Sequence, residues 1–123
     1  MKRRNPEEQL HRAVARFLDV ALPEDAWWST FPSGGGGKIR GARLKAMGLK
    51  AGVPDILIIW RGEAFWIELK AKGGRVSSAQ WETRTAIARA GSHVGFVYGV
   101  DEVDSLLRAF GVPLRASTGR IAA

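Results

Sequence analysis

The chain has 123 residues, 46% of them hydrophobic and 25% charged, which is the composition of one folded domain with a modest core. It contains no cysteine, which excludes disulfides and thiolate metal sites, and its two histidines lack the spacing of zinc ligands. The net charge of +7 predicts a polyanionic partner, most often nucleic acid, although a merely soluble basic protein has the same balance. No apolar run reaches the roughly 20 residues that span a bilayer, and no signal peptide is visible, so we expect a cytoplasmic protein without membrane contact.

The N-terminal segment predicts a loose basic arm over residues 1–5, followed by an amphipathic helix. Asn5 can cap this helix, and Pro6 suits its first turn. Its apolar stripe consists of Leu10, Ala13, Val14, Phe17, Leu18 and Ala21. Extending the stripe backward places Glu7 on the inward side and Glu8 in water. Glu7 therefore either has a partner inside the fold or serves the helix dipole.

A short strand over 26–31 and a glycine-rich loop over 32–37 are predicted next. Four consecutive glycines make the loop mobile, so it is either a plain linker or a flap whose bare N–H groups can approach phosphate. Residues 40–47 predict a short helix that ends at Gly48. No acidic residue occurs between positions 26 and 54, whereas this stretch carries the basic residues Lys38, Arg40, Arg43, Lys45 and Lys50.

The stretch 52–70 holds two short apolar runs, one on each side of Arg61-Gly62. Both are rich in β-branched and aromatic residues and too short for a typical helix, so they predict two strands of an antiparallel hairpin. With a two-residue turn, Asp55 lies opposite Glu68, with Cβ atoms roughly 4.5–5.5 Å apart. Lys70 falls on the same face, because side chains alternate along a strand.

Two carboxylates and an ammonium therefore converge at one end of the hairpin. One interpretation is that Asp55 only opens its strand while Glu68 and Lys70 form an ion pair at the edge. The other is that the carboxylates bind a divalent cation, which removes the repulsion that would otherwise keep one of them protonated. A set of oxygen ligands suits Mg²⁺ or Mn²⁺.

The remainder of the chain predicts a helix, a strand, a helix and a tail. Ser77 and Gln80 have the spacing of a capping box at the start of a helix that runs to about residue 90. A strand is expected over 93–98, a short helix over 101–110 behind an Asp101 cap, and a loose tail over 111–123.

Three short motifs follow one another in this sequence: G-V-P-D over 52–55, E-L-K over 68–70, and G-G-x-x-S-x-x-Q over 73–80. In this order they resemble the VRR-NUC family of the PD-(D/E)XK nuclease superfamily, over most of the chain from Glu7 to about Asp104. The resemblance implies an α/β fold, with a mixed central β-sheet flanked by helices as in restriction endonucleases, formed by a single domain over residues 1–123. It also implies metal-dependent hydrolysis of DNA phosphodiesters.

The resemblance assigns the metal site to particular residues. Asp55 and Glu68 bind Mg²⁺ or Mn²⁺, together with the backbone carbonyl of Leu69. Glu7 stands at the glutamate of a family pattern E-x-x-L-Q and is the candidate third carboxylate, acting directly or through water. His11 replaces the glutamine of that pattern, which leaves its role open; a surface histidine without a role in the site is one interpretation.

The same resemblance assigns roles around the metal. Lys70 orients the attacking water or stabilises the charge that develops on the phosphate. Gln80 either only caps its helix or belongs to the active site, where its amide orients Lys70 or the water. Ser33-Gly34 stands where the family has Asn-Gly. The DNA backbone is expected to lie along the basic residues Lys38, Arg40, Arg43, Lys45, Lys50, Lys72 and Arg75.

Stand-alone relatives of phage and prophage type act on branched DNA such as four-way (Holliday) junctions, so the resemblance implies such a substrate and no nucleotide cofactor. Two cuts need two sites, and a chain of this size holds one, so we expect a homodimer. The candidate apolar contacts are Trp27, Trp28, Trp60, Trp81, Leu106, Leu107 and Phe110, although the sheet faces could also use them. The alternatives are a nuclease on flaps or plain duplex and a non-catalytic DNA-binding subunit.

Overall fold

The computed structural model describes residues 5–31 and 37–118. These residues form four helices and four strands in the order that the sequence predicts. The bounds are α1 Pro6–Ala21, β1 Trp27–Thr30, α2 Gly37–Ala46, β2 Ile56–Trp60, β3 Glu63–Leu69, α3 Ser78–Arg89, β4 His93–Val97 and α4 Val100–Ala109. None of the helices in these ranges is long and apolar enough to cross a membrane.

The strands form one mixed sheet in the order β1-β2-β3-β4. The first three strands are antiparallel, and β4 runs parallel to β3 because α3 carries the chain back across the sheet. The β2–β3 turn consists of Arg61 and Gly62, whose φ angles of 50° and 81° are those of a tight two-residue hairpin turn. The register from Trp60↔Glu63 to Ile56↔Ile67 is the predicted one.

One face of the sheet carries the core. The β2 and β3 side chains on this face are Ile56, Ile58, Phe65 and Ile67, and all four are fully buried. They pack with the stripe of α1 and with α4, whose Leu107 is also fully buried. The apolar residues that recur along α1 with a 3.6-residue period therefore face the core, as predicted.

The opposite face is covered on one side only. Trp81 of α3 makes an edge-to-face contact with Phe96 of β4, at 5.1 Å between ring centroids. Toward β1 the face is open, and Trp27 and Ile59 are 57% and 40% exposed. Of the aromatic and aliphatic residues expected at a dimer contact, Trp27 and Trp81 are exposed, whereas the core and its margin take up Trp28, Trp60, Leu106, Leu107 and Phe110.

Two local predictions differ from the structure. The α2 helix begins at Gly37, three residues earlier than expected. The N-cap of α4 is Gly99, so Asp101 lies inside the first turn, where its charge still complements the helix dipole. The predicted loop residues 32–36 and the basic residues 1–4 lie outside the described ranges.

The predicted loose tail is wrong for residues 111–118. Val112 is buried, and the backbone N–H and Nε of Arg115 donate to the carbonyls of Ala21 and Leu22 at 2.7 and 2.6 Å. These carbonyls at the end of α1 have no partner within their own helix, and a cation at a helix C-terminus is favourable. The segment therefore closes the end of α1. Residues 119–123 are not among those described.

Candidate active site

The first element of the site is Asp55, which directly precedes β2. Its carbonyl accepts the N–H of Phe31 at 2.7 Å, which extends the β1–β2 ladder by one pair. Its carboxylate Oδ2 accepts the N–H of Leu69 at 2.8 Å, and this bond ties it to β3 beside Glu68. The register of the hairpin therefore places Asp55 next to Glu68, as predicted.

Glu68 is 5% exposed, and each of its oxygens has a different environment. Oε2 accepts a hydrogen bond from Gln80 Nε2 at 2.7 Å, whereas Oε1 is buried without a partner among the described residues. Buried polar atoms normally have hydrogen-bond partners, so this oxygen is available to bind a ligand such as a cation.

Gln80 caps its helix, as one of the two interpretations expected, and its side chain also contacts the site. The side-chain Oε1 of Gln80 accepts the backbone N–H of Ser77 at 2.9 Å, and the backbone N–H of Gln80 donates to Ser77 Oγ at 3.1 Å. Together these bonds form the predicted capping box. Because Oε1 is committed to Ser77, the amide N–H₂ faces Glu68. The expected contact of this amide with Lys70 does not form; the amide binds Glu68 instead.

Lys70 completes the trio on β3. Its side chain is buried, and its backbone N–H donates to the carbonyl of Val97 at 2.8 Å, which continues the β3–β4 ladder past Leu69. The ammonium lies close enough to lower the pKa of both carboxyls. Because side chains alternate along a strand, the E-L-K motif places Glu68 and Lys70 on the same face of β3.

Burial and mutual repulsion perturb the carboxyl groups strongly. Burial is the main cause that raises the pKa of Glu68 to about 7, the charge of Asp55 raises it further, and Lys70 opposes the shift. Burial also raises the pKa of Asp55, against the hydrogen bond from the Leu69 N–H. A carboxyl group that resists ionisation near neutral pH, as Glu68 does, marks a position where a positive charge would be favourable.

The trio lies in an open pocket of about 800 Å³ whose far wall is the N-terminal half of α1. Glu7 lines this pocket, but it is exposed and so is not turned into the core as predicted. Glu8 lines the same wall and forms an ion pair with Arg12 at 3.0 Å. His11 is half-buried and lines this wall, which is compatible with a surface histidine.

The donor set fits a hard divalent cation. Asp55 and Glu68 offer carboxylate oxygens, of which the buried Oε1 of Glu68 has no partner among the described residues, and Leu69 lines the same pocket. Within residues 5–31 and 37–118, no three or more His, Cys, Asp or Glu side chains are grouped so that together they could hold a metal. The direct form of the Glu7 prediction therefore finds no support, and a role through water stays a prediction.

The basic residues predicted to hold DNA are all exposed and none lines the pocket: Lys38, Arg40, Arg43, Lys45, Lys50, Lys72 and Arg75. On α2 they divide between two sides, because each residue of a helix turns by about 100°. Arg40 and Arg43 share one side, and Lys38 and Lys45 share the other. Leu44 is the one residue of α2 that is half-buried, and the others are exposed. The helix therefore packs only weakly against the rest of the described residues.

Sequence reasoning missed the structural role of Gly52. Its φ of 77° favours glycine, and a Cβ there would meet the backbone of Ala79 and lie 2.7 Å from Gln80 N. The loop before Asp55 is thus pressed against the first turn of α3, where Thr83 Oγ1 also donates to the carbonyl of Ala51. The glycine of the G-V-P-D motif could have indicated a close backbone contact. Its partner on α3, however, is too distant in the sequence to be identified from the motif.

Comparison with known proteins places this fold. No protein-family model and no curated protein sequence matches the chain. A solved structure described as a VRR_NUC domain protein aligns with 89% of this chain and 90% of its own, at 23% identity and a TM-score of 0.65. Another, described as a VRR_NUC domain, aligns with 87% and 99%, at 18% identity and a TM-score of 0.61. The chain has the α/β, restriction-endonuclease-like fold of these VRR_NUC domains, which confirms the fold that the sequence resemblance implied.

Replacing Gly52 by Ala should lower the free energy of unfolding by more than replacing Gly48 does. Both positions have positive φ, but only a Cβ at Gly52 collides with backbone, whereas Gly48 faces open space. Positive φ alone costs a non-glycine residue about 1–3 kcal/mol, and we expect Gly52→Ala to exceed Gly48→Ala by at least 1 kcal/mol more, roughly the cost of a disturbed buried contact. Denaturant unfolding measures the difference, and equal effects of the two substitutions would contradict the proposed contact.

The cation-free protein should lose stability as the pH rises from about 5 to 8. The pKa of Glu68 is about 7 in the folded protein against an ordinary value of 4.5, so the folded state holds this proton more tightly than the unfolded chain. The protonated Glu68 contributes fully to the free energy of unfolding below pH 4.5. This contribution disappears as the pH rises past 7, which lowers the free energy of unfolding by up to about 3 kcal/mol. The raised pKa of Asp55 acts in the same direction.

Unfolding free energies measured in EDTA across this range check the pH prediction. Glu68→Gln should flatten the decline, whereas Glu82→Gln, a change at an exposed carboxylate on α3, should leave it unchanged. A wild-type protein whose stability is constant or increases over this range would contradict it.

Proposed function

We propose that this protein is a metal-dependent endonuclease that hydrolyses phosphodiester bonds in DNA. The observation that carries the proposal is that the half-buried Asp55 lies beside the buried Glu68, one oxygen of which has no partner among the described residues, with the buried Lys70 next to them. Burying two like charges costs stability unless a cation compensates them. The shared fold with VRR_NUC domains supports the same conclusion.

Each residue of the site has a definite role in this proposal. Asp55, Glu68 and the Leu69 carbonyl hold Mg²⁺ or Mn²⁺, and Glu7 contributes through water. The cation, when bound, polarises the phosphate and supplies an activated water. Lys70 places positive charge where negative charge develops on the phosphate, and burial makes that charge more effective than it would be in water.

Substrate binding and cleavage are assigned to different surfaces. The cations of α2 and of the loop after β3 neutralise DNA phosphates, and affinity of this kind is independent of base sequence. Arg12 also lines the pocket, where it is paired with Glu8 at 3.0 Å.

The preferred substrate in this proposal is branched DNA such as a four-way junction, cut by a homodimer with one site for each strand. The open face around Trp27 and Ile59 supports contact between two copies, because large exposed apolar residues that cluster commonly mark an interface. The alternatives are a nuclease on flaps or plain duplex, and a non-catalytic DNA-binding subunit. The pairing of Asp55 with the buried Glu68 argues against the last of these, because DNA binding alone does not need it.

Cleavage should require both the cation and the carboxylate pair. Activity should vanish in EDTA and return with Mg²⁺ or Mn²⁺, and Asp55→Asn or Glu68→Gln should reduce it by at least about a hundredfold, since metal ions stabilise such transition states by several kcal/mol. Both variants should still bind DNA. Gel assays with labelled junction, flap and duplex DNA measure this, with Glu82→Gln as the matched control. Full activity after chelation would sink the mechanism.

Removing cations from α2 should weaken DNA binding without changing sequence preference. In the cleavage-deficient Asp55→Asn background, the paired changes Lys38→Ala with Lys45→Ala, and separately Arg40→Ala with Arg43→Ala, test the two sides of the helix. For each DNA phosphate that is no longer neutralised, the slope of log affinity against log salt should fall by about 0.9. Arg61→Asn, at the hairpin tip, is the control, and an unchanged slope in both pairs would place the DNA elsewhere.

The protein should be a dimer that cuts junctions in pairs. Light scattering should give twice the chain mass of 13.4 kDa, and junction cleavage should yield two nearly symmetric incisions. Ile59→Lys, which puts a charge on the open face, should give monomers and reduce junction cleavage more than cleavage of plain duplex. A wild-type monomer at micromolar concentration that cuts duplex as fast as junctions would favour the alternative nuclease.

A further inference from the structure

A chain of hydrogen bonds connects α1 to the backbone of Asp55. His11 Nε2 lies 2.8 Å from Thr30 Oγ1, and Thr30 Oγ1 lies 3.1 Å from the Asp55 carbonyl oxygen. Thr30 is the last residue of β1, and His11 lines the pocket from α1. The three residues come from separate elements, so their meeting is a product of the tertiary fold.

The chemistry of the hydroxyl sets the direction of this chain. A carbonyl only accepts, so Thr30 must use its single proton on Asp55. The Thr30 oxygen then accepts from His11, which means that Nε2 carries a proton. His11 thus acts as a donor toward Thr30 in both its neutral and its charged form, and the contact does not depend on its ionisation.

The Asp55 backbone needs such support because of its place in the sheet. β2 begins at Ile56, so Asp55 lies just beyond the regular strand. Its carbonyl has two lone pairs, of which one accepts the Phe31 N–H and the other the Thr30 hydroxyl. The two bonds fix the peptide plane from which the Asp55 carboxylate projects toward the Leu69 N–H.

We propose that His11 is a positioning residue that acts through Thr30 to hold Asp55 in the geometry of the cation site. The inference rests on the proposed function for its purpose, though not for the hydrogen bonds themselves. It gives the two carboxylates matching supports. Gln80 of α3 holds Glu68 directly, and His11 of α1 holds Asp55 through its backbone.

Four variants separate this role from mere packing. His11→Ala removes the donor, whereas His11→Gln keeps one, because the Nε2 atoms of both side chains are the same number of bonds from Cα. Thr30→Val removes the hydroxyl but keeps the branched shape that suits a strand. Ser29→Ala is the control, since the Ser29 hydroxyl binds the Thr30 carbonyl and not Asp55.

The first measurement needs no cation. Nitrogen NMR of the wild type should show His11 with its proton on Nε2, and the Leu69 amide, which reports on the Asp55 carboxylate, should be shifted and protected from exchange. His11→Ala and Thr30→Val should both reduce that protection, whereas His11→Gln and Ser29→Ala should preserve it. A His11 ring with its proton on Nδ1 alone, or an unchanged Leu69 amide in His11→Ala, would overturn the inference.

The second measurement is Mn²⁺ affinity by calorimetry. His11→Ala and Thr30→Val should each weaken binding by about tenfold, the loss usual for residues that support metal ligands. The double variant should be no weaker than either single one, because both changes break the same chain. His11→Gln should bind as the wild type does.

The outcomes distinguish this inference from the proposed function. A wild type that binds no divalent cation contradicts the proposed function, while the Leu69 amide still decides whether His11 holds Asp55. His11→Ala that keeps both Mn²⁺ affinity and the Leu69 amide but loses DNA cleavage would overturn the inference, since His11 would then act on the substrate.

Discussion

The structure depends on one constraint, the placement of two carboxylates opposite each other at the buried end of a hairpin. The two-residue turn fixes the register, so the backbone cannot separate Asp55 from Glu68 without breaking the β2–β3 ladder. Their repulsion and burial must therefore be offset where they stand. The Leu69 N–H, the Gln80 amide and the Lys70 ammonium do part of this, and the raised pKa of Glu68 shows that they do not complete it.

Two helices bring their N-terminal turns to the carboxylate pair. Gln80 lies in the first turn of α3, and Glu7 lies in the first turn of α1. The partial positive charge of a helix N-terminus favours nearby anions, so both helix dipoles act in the same direction as Lys70. Glu7 at the start of α1 offsets part of this field, so its exposed position at the pocket wall fits the helix-dipole role and not the inward-facing one.

Sequence reasoning succeeded where the determinants are local. The hairpin register follows from a turn and two apolar runs, and the capping box of Ser77 and Gln80 spans four residues. It failed where the deciding partner is distant: the tail is ordered because Arg115 meets Leu22, 93 residues away, and nothing near Arg115 signals this. The same holds for the contact of His11 with Thr30, which joins α1 to β1 across 19 residues of sequence. The assignment of Asp55, Glu68 and Lys70 to one place needed only strand alternation, whereas their chemistry remains a proposal.

The spread of the G-V-P-D and S-x-x-Q motifs over 29 positions has a physical reason in α3. Gly52 lets the loop before Asp55 press on the backbone of Ala79 and Gln80, and the Gln80 side chain holds Glu68. One helical turn therefore sets the position of both carboxylates, one through the loop and the other through an amide. A shift of α3 would move the two supports together, which preserves the spacing of the pair better than independent supports would. Gly52 and Gln80 thus act together to position the carboxylate pair, although each alone resembles an ordinary turn or helix-cap residue.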